Sequence, residues 1–188
     1  YYPTTRDFGL LDRDRADVAA IEQVFDSDFH HTATVAPAAA GLVWSPPQSE
    51  PTLLSLIDAA SSTLLVENEE MAYQPVTAAL ARAARRGVHV VVVMTDQPQW
   101  HSAFDALSTG HVVVRLYAAR APLYIHAKVI VADAATSRAR AFMGSENFSA
   151  ASLRRNRELG VLTSDPTVVA GLAATIERDA AAAQPWRH

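Results

Sequence analysis

The 188-residue sequence has no cysteine, which excludes a disulfide framework and a thiolate metal site and leaves redox compartment unread. It has no apolar run near the roughly 18–20 residues that a membrane-spanning helix needs. Its most β-rich run, Val88 to Met94, is only strand length. Tyr1 to Leu10 mixes Pro, Thr, Arg and Asp with no apolar centre, unlike a signal peptide. These absences fit a soluble protein but name no compartment; secretion and peripheral membrane contact both stay open. Basic excess is lacking too: the net charge is −4 and the pI about 5.9, which disfavours a dedicated nucleic-acid binder without excluding a local basic patch. Lysine is almost missing. Fifteen of the sixteen basic residues are arginine, and Lys128 is the single lysine. A compact ammonium reaches where a planar guanidinium does not, so that one position stands out.

What is present is a globular composition, 49% hydrophobic and 19% charged. Strands are expected at Leu42–Trp44, Thr63–Glu67, Val88–Met94, His111–Tyr117, Leu123–Ala132 and Arg138–Met143. Between the earlier strands, Leu53, Leu54, Leu56 and Ile57 have helical spacing, as do Val76, Ala79, Leu80 and Ala83, which end in Arg85-Arg86-Gly87. A further helix is expected around Gln99–Leu107. Alternation of this kind predicts an α/β layer architecture.

The two ends of the chain resemble each other. Arg6–Asp28 aligns without gaps on Arg157–Asp179 at an offset of 151, with seven identical pairs that include Arg6/Arg157, Gly9/Gly160, Asp14/Asp165 and Asp28/Asp179. Each copy reads as an apolar strand, an Asp that can cap a helix, and apolar residues at helical spacing: Val18, Ile21 and Phe25, or Val169, Leu172 and Ile176. Fixed-period similarity points to duplication. Residues 1–40 are therefore expected to be the tail of an upstream repeat plus a linker, and residues 41–188 a C-terminal repeat.

The chemistry concentrates in Tyr124-Ile125-His126-Ala127-Lys128, which begins an H-x-K-x4-D pattern ending at Asp133. In one continuous strand His126 and Lys128 share a face, and Ile125, Ala127, Val129 and Val131 form the core-facing row. Asp133 then falls on the opposite parity and is expected to be structural. Tyr124 shares the face of His126 and is a candidate substrate contact. A hairpin centred near Ala135 and Thr136 would set Ser145 opposite His126, bringing Gly144-Ser145-Glu146-Asn147 close to the imidazole. Ser145 and Asn147 supply short neutral donors, and Glu158 is a candidate orienter of the ring. No metal-ligand cluster is apparent, so neither metal nor cofactor is expected. His30, His31, His89 and His111 read as helix-end or surface positions; Glu67, Asn68, Glu69, Glu70 and Tyr73 follow a strand and could line a substrate cleft, with an exposed acidic loop as the default reading.

Taken together, His126-x-Lys128-x4-Asp133, Gly144-Ser145-x-Asn147 and Asn156-Arg157-Glu158-Leu159-Gly160 resemble one HKD repeat of the phospholipase D superfamily. The likeness covers most of the chain. Ile57-Asp58-Ala59-Ala60 and Ala83-Ala84-Arg85-Arg86-Gly87-Val88 are similar to bacterial cardiolipin synthase-like members. The resemblance implies a mixed β-sheet flanked by helices on both faces, two repeats meeting at one site, and two histidines working through a phosphohistidine. Lys128, Ser145 and Asn147 would bind the phosphodiester oxygens, and Glu158 would hold the His126 ring. The implied activity is phosphodiester hydrolysis or phosphatidyl transfer on phospholipids, whether or not this chain is active alone; an HKD-type nuclease and a non-catalytic half-domain are the rivals. Only one H-x-K is present. The second histidine would come from an upstream repeat, about 25 to 30 residues before Tyr1 by the repeat offset, or from a homodimer partner. Asp7 aligns with Glu158 and is expected to orient that absent histidine.

Overall fold

The computed structural model describes residues 4–33, 37 and 41–187, so most of the expected linker lies outside the described residues. In chain order the elements are β1 (Thr4–Arg6), α1 (Arg15–Phe29), β2 (Leu42–Ser45), α2 (Ser49–Ala59), β3 (Thr63–Asn68) and α3 (Gln74–Arg85). After them come β4 (His89–Thr95), a 3-10 turn at Pro98–Trp100, α4 (His101–Thr109), β5 (Val113–Tyr117), β6 (Leu123–Ile125), β7 (Lys128–Ala132) and β8 (Arg140–Gly144). The chain ends in α5 (Ala150–Arg154), β9 (Glu158–Thr163), α6 (Pro166–Ala182) and β10 (Gln184–Pro185).

Val-rich strands such as β4 are buried on both faces, and that burial needs helices above and below. The main sheet has the order β10-β5-β4-β3-β7-β8-β9-β2. Strands β3, β4 and β5 run parallel, and β7, β8, β9 and β2 continue antiparallel from β3. On one face α2, α3 and α4 bury Leu53, Ile57, Leu80, Phe104 and Leu107 against Leu64, Val66, Val92 and Ile130. On the other, α6 lays Val169, Leu172 and Ile176 over Leu65, Val91, Val93, Val129 and Val131. This is the mixed sheet with helices on both faces expected from the sequence.

Both terminal helices begin as the sequence predicts. Asp14 accepts from the N–H groups of Ala16 and Asp17, and Asp165 from those of Thr167 and Val168. These side chains satisfy donors that a helix start leaves open. The strands before them differ, which corrects the expectation of one in each copy: β9 pairs along its length with β8 and β2, whereas residues 7–12, aligned with it, form no strand and only follow β1, which pairs in parallel with β6.

Two local expectations are corrected. Residues 123–132 are two strands, because β6 leaves the sheet to pair with β1 while β7 stays beside β3. Ile125, Ala127, Val129 and Val131 nevertheless remain in one core row. The hairpin is also displaced by one residue: Val129 pairs with Met143, so it centres on Thr136. Asp133 adopts φ +53° and its carbonyl accepts the Thr136 N–H, which widens the turn.

Candidate active site

His126 and Lys128 flank the break between β6 and β7, where the backbone crosses from the small sheet to the large one. They open on a cavity of about 420 Å³ whose lining includes Asp7, Glu69, Ser145, Asn147 and Glu158. The cavity therefore gathers His126, Lys128, Ser145, Asn147, Glu158 and Asp7. Tyr124 lies beside it, its ring centroid 6.4 Å from that of His126.

The imidazole is fixed from both sides. Its Nδ1 lies 2.7 Å from Asp7 Oδ1 and its Nε2 3.4 Å from Glu69 Oε2. The backbone N–H of His126 donates to the Arg6 carbonyl, which ties the ring to the β1 segment that carries Asp7. Hydrogen bonding from Thr5, and then from His126, holds the Asp7 carboxyl below the usual carboxylate range against the effect of burial. A carboxylate beside Nδ1 favours the tautomer protonated there, and Nε2 is the ring nitrogen that faces the cavity and Glu69.

Here the structure reverses an expectation. Asp7, expected beside the other histidine, contacts His126, and no hydrogen bond joins Glu158 to that ring among the described residues. Glu158 instead accepts from Ser145 Oγ (2.6 Å), Ser152 Oγ (3.1 Å) and Asn156 Nδ2 (3.3 Å). The reason is the parallel pairing of β1 with β6, which brings two residues 119 positions apart into contact. Because Ser145 gives its hydroxyl proton to Glu158, it positions that carboxylate rather than presenting a free donor to the cavity.

Lys128 is buried to within 8% of full, and its ammonium donates to Glu69 Oε2 at 3.0 Å and to the His126 carbonyl at 2.5 Å. Glu69 also accepts the Tyr124 hydroxyl at 2.8 Å and the Asn147 amide at 3.4 Å. Burial would raise its pKa, but the hydrogen bonds from Tyr124 and Lys128 outweigh it and hold Glu69 below the usual range. The reading of residues 67–70 as an exposed acidic loop is therefore corrected: Glu67 and Asn68 are fully buried, and Glu69 sits in the site.

Asn68 is a positioning residue that the sequence pattern does not reveal. Its Nδ2 donates to the Glu146 carbonyl, and its Oδ1 accepts from the Phe148 and Glu70 N–H groups, so it clamps both loops of the cavity. Below them Gly144 faces Gly160, and a Cβ on Gly144 would come within 2.2 Å of Glu146 Oε2. That space admits the buried Glu146 carboxyl, which takes a hydrogen bond from Ser49 and is pushed up to about 7 by burial.

Asp133 stands outside this cavity. It accepts from the N–H groups of Ser61, Ser62 and Thr63 and from the Ser61 hydroxyl, anchoring the start of β3. Burial raises its pKa, yet those donors leave it net lowered. His30, His31, His89 and His111 are surface residues. Among the described residues no cluster of three His, Cys, Asp or Glu side chains could hold a metal ion. None of the described helices is long and apolar enough to cross a membrane.

Residues 53–180 match the family described as "Cardiolipin synthase, PLD-like domain", and the chain belongs to that family. Its fold is similar to Nuc, a phospholipase D family member from Salmonella typhimurium, with a TM-score of 0.69 at 20% identity over 80% of this chain and 99% of that one. NucT from Helicobacter pylori is similar with a TM-score of 0.59 at 15% identity, over 77% of this chain and 97% of that one. Phosphatidylserine synthase from Haemophilus influenzae gives 0.61 at 13% identity, over 95% of this chain and 49% of that one. No curated protein is significantly similar in sequence.

Proposed function

We propose that this chain supplies one half of a two-histidine site that hydrolyses a phospholipid phosphodiester or transfers its phosphatidyl group. The observation that carries the reading is the line Asp7–His126–cavity, with the Lys128 ammonium and Asn147 amide at its far end. Those donors suit charged nonbridging oxygens, whose charge is best stabilised by fixed groups. In the reaction, one histidine Nε2 forms a P–N bond as the P–O bond to the leaving alcohol breaks. The alcohol oxygen takes a proton from the second imidazolium. Water or an acceptor alcohol then displaces the histidine from phosphorus and gives its proton back to the second imidazole. His126 serves in one of these two roles.

The second histidine is assigned to a preceding unit of the same kind. Asp7 faces His126, so by the 151-residue correspondence Glu158 faces the place of the missing ring. Two ion pairs follow the same exchange: Arg6 binds Asp179, and Arg157 binds Asp28. Reciprocal pairing of equivalent residues is the pattern of two-fold packing. A symmetric homodimer would need to bring its partner's Glu158 to His126, where Asp7 already sits. Phospholipid is preferred to nucleic acid because three carboxylates, from Asp7, Glu69 and Glu158, line the cavity with Lys128.

The test is release of nitrophenol from bis(p-nitrophenyl) phosphate across protein concentrations, beside His126→Ala. With the second histidine assigned to a preceding unit, this chain alone should turn over no faster than the variant, and linear turnover lost in the variant would count against that assignment. Turnover rising faster than concentration would favour the homodimer. Absence of activity above the variant would mark this chain as an incomplete half, and activity retained by the variant would overturn the reading.

A further inference from the structure

Glu69 follows directly on β3, whose last residue, Asn68, pairs with Lys128. One of its oxygens, Oε2, accepts from Lys128 Nζ at 3.0 Å and Asn147 Nδ2 at 3.4 Å and stands 3.4 Å from His126 Nε2. Its other oxygen holds the Tyr124 hydroxyl. The groups assigned above to a phosphate oxygen thus already converge on a carboxylate oxygen. Carboxylate and phosphate oxygens are both anionic acceptors, so they compete for the same donors.

We propose that Glu69 sets the charge selectivity of this site, favouring a singly charged phosphodiester over a doubly charged phosphate monoester. The inference rests on the reading of the cavity as a phosphate site. When a phosphate takes the donors, Glu69 stays tethered near it through Tyr124, and the repulsion it exerts scales with the ligand's charge. A diester carries one negative charge; a monoester, with a second pKa near about 6, carries nearly two at pH 8. Against these the cavity lining offers Lys128 as its permanent cation, with Asp7 and Glu158 adding to the negative field. A monoester is what hydrolysis of a diester leaves behind. Glu69 therefore weakens product retention as well as binding of free phosphate.

The experiment is an NMR titration of the His126 imidazole signals at pH 8 with methyl phosphate and, separately, dimethyl phosphate. It compares the unmodified chain with Glu69→Gln and Lys128→Ala. Glutamine keeps the size and polarity of the side chain and removes its charge. Methyl phosphate should bind Glu69→Gln about tenfold more tightly or better, with a much smaller gain for dimethyl phosphate. Lys128→Ala should weaken both. Methyl phosphate affinity that is unchanged or lower in Glu69→Gln, while Lys128→Ala still loses binding, would overturn the proposal and leave Glu69 as a support for the lysine. Equal gains for both probes would overturn it too, since charge discrimination would be absent. Binding of both probes unaffected by Lys128→Ala would instead bring down the phosphate-site reading itself.

Discussion

The helices α1 and α6 carry aligned apolar residues and meet opposite surroundings. In α6 Val169, Leu172 and Ile176 are buried against the sheet. In α1 the aligned Val18 and Phe25 are 42% and 64% exposed, and Phe29 and Leu11 extend the patch at 69% and 76%. Helix α1 docks instead through Ala20 and Val24, against Leu42 and Trp44. In α6 the positions aligned with these are Gly171 and Thr175, which are not buried. One amphipathic pattern thus has two usable faces, and which one is covered depends on the sheet beneath.

That contrast can be broken most severely in the core. Ile176→Ala should cost about 2–5 kcal/mol in urea unfolding, because it empties a fully buried site. Phe25→Ala at the aligned exposed position should stay within about 0.5 kcal/mol. Similar losses from both would mean that the face of α1 is not open.

A second contrast is in pH response. Glu67 lies beside the Arg6–Asp179 pair, and burial, followed by the neighbouring Asp179 carboxylate, pushes it up to about 9 while Arg6 opposes the rise. Neither Glu67 oxygen has a hydrogen-bond partner among the described residues, so its charged form gains no donor to offset burial. The folded-state pKa lies above the ordinary value of 4.5. The folded chain therefore retains a proton that the unfolded chain releases, and stability present below pH 4.5 is lost as pH rises toward 9. Glu67→Gln should be close to neutral at pH 5 and stabilising by about 1–4 kcal/mol at pH 8. A pH-independent effect in thermal unfolding would contradict this.

The smallest effect compares the two exchanged ion pairs. Asp28→Asn, at the exposed Arg157 pair, should cost about 0–1 kcal/mol. Asp179→Asn, whose carboxylate is 8% exposed and also faces Glu67, should cost more. Equal costs would remove the asymmetry between the two pairs.

Much of this was legible in the sequence. The strand and helix order, both aspartate caps, the core row of Ile125 to Val131 and the approach of Gly144–Asn147 to His126 all follow from local periodicity and turn chemistry. The long-range exchanges did not show. Nothing in the spacing of Asp7 reveals that β1 pairs with β6, so the alignment set Asp7 beside another histidine, whereas it lies against His126. Glu69 and Asn68 were named as possible cleft residues but ranked below a solvated loop for a related reason: an acidic stretch after a strand looks solvated until Lys128, Tyr124 and the 146–148 loop close over it. The hairpin slipped by one residue because the left-handed conformation of Asp133 widens its turn.

The crossed pairing is the centre of this account, and the imidazole proton of His126 reports on it directly. In 15N-edited NMR at low temperature, the Nδ1–H of His126 should appear as a downfield signal in the unmodified chain and in Glu158→Gln. It should be lost or shifted upfield in Asp7→Asn. A signal that survives Asp7→Asn and disappears in Glu158→Gln would restore the uncrossed arrangement and contradict the assignment of the second half-site.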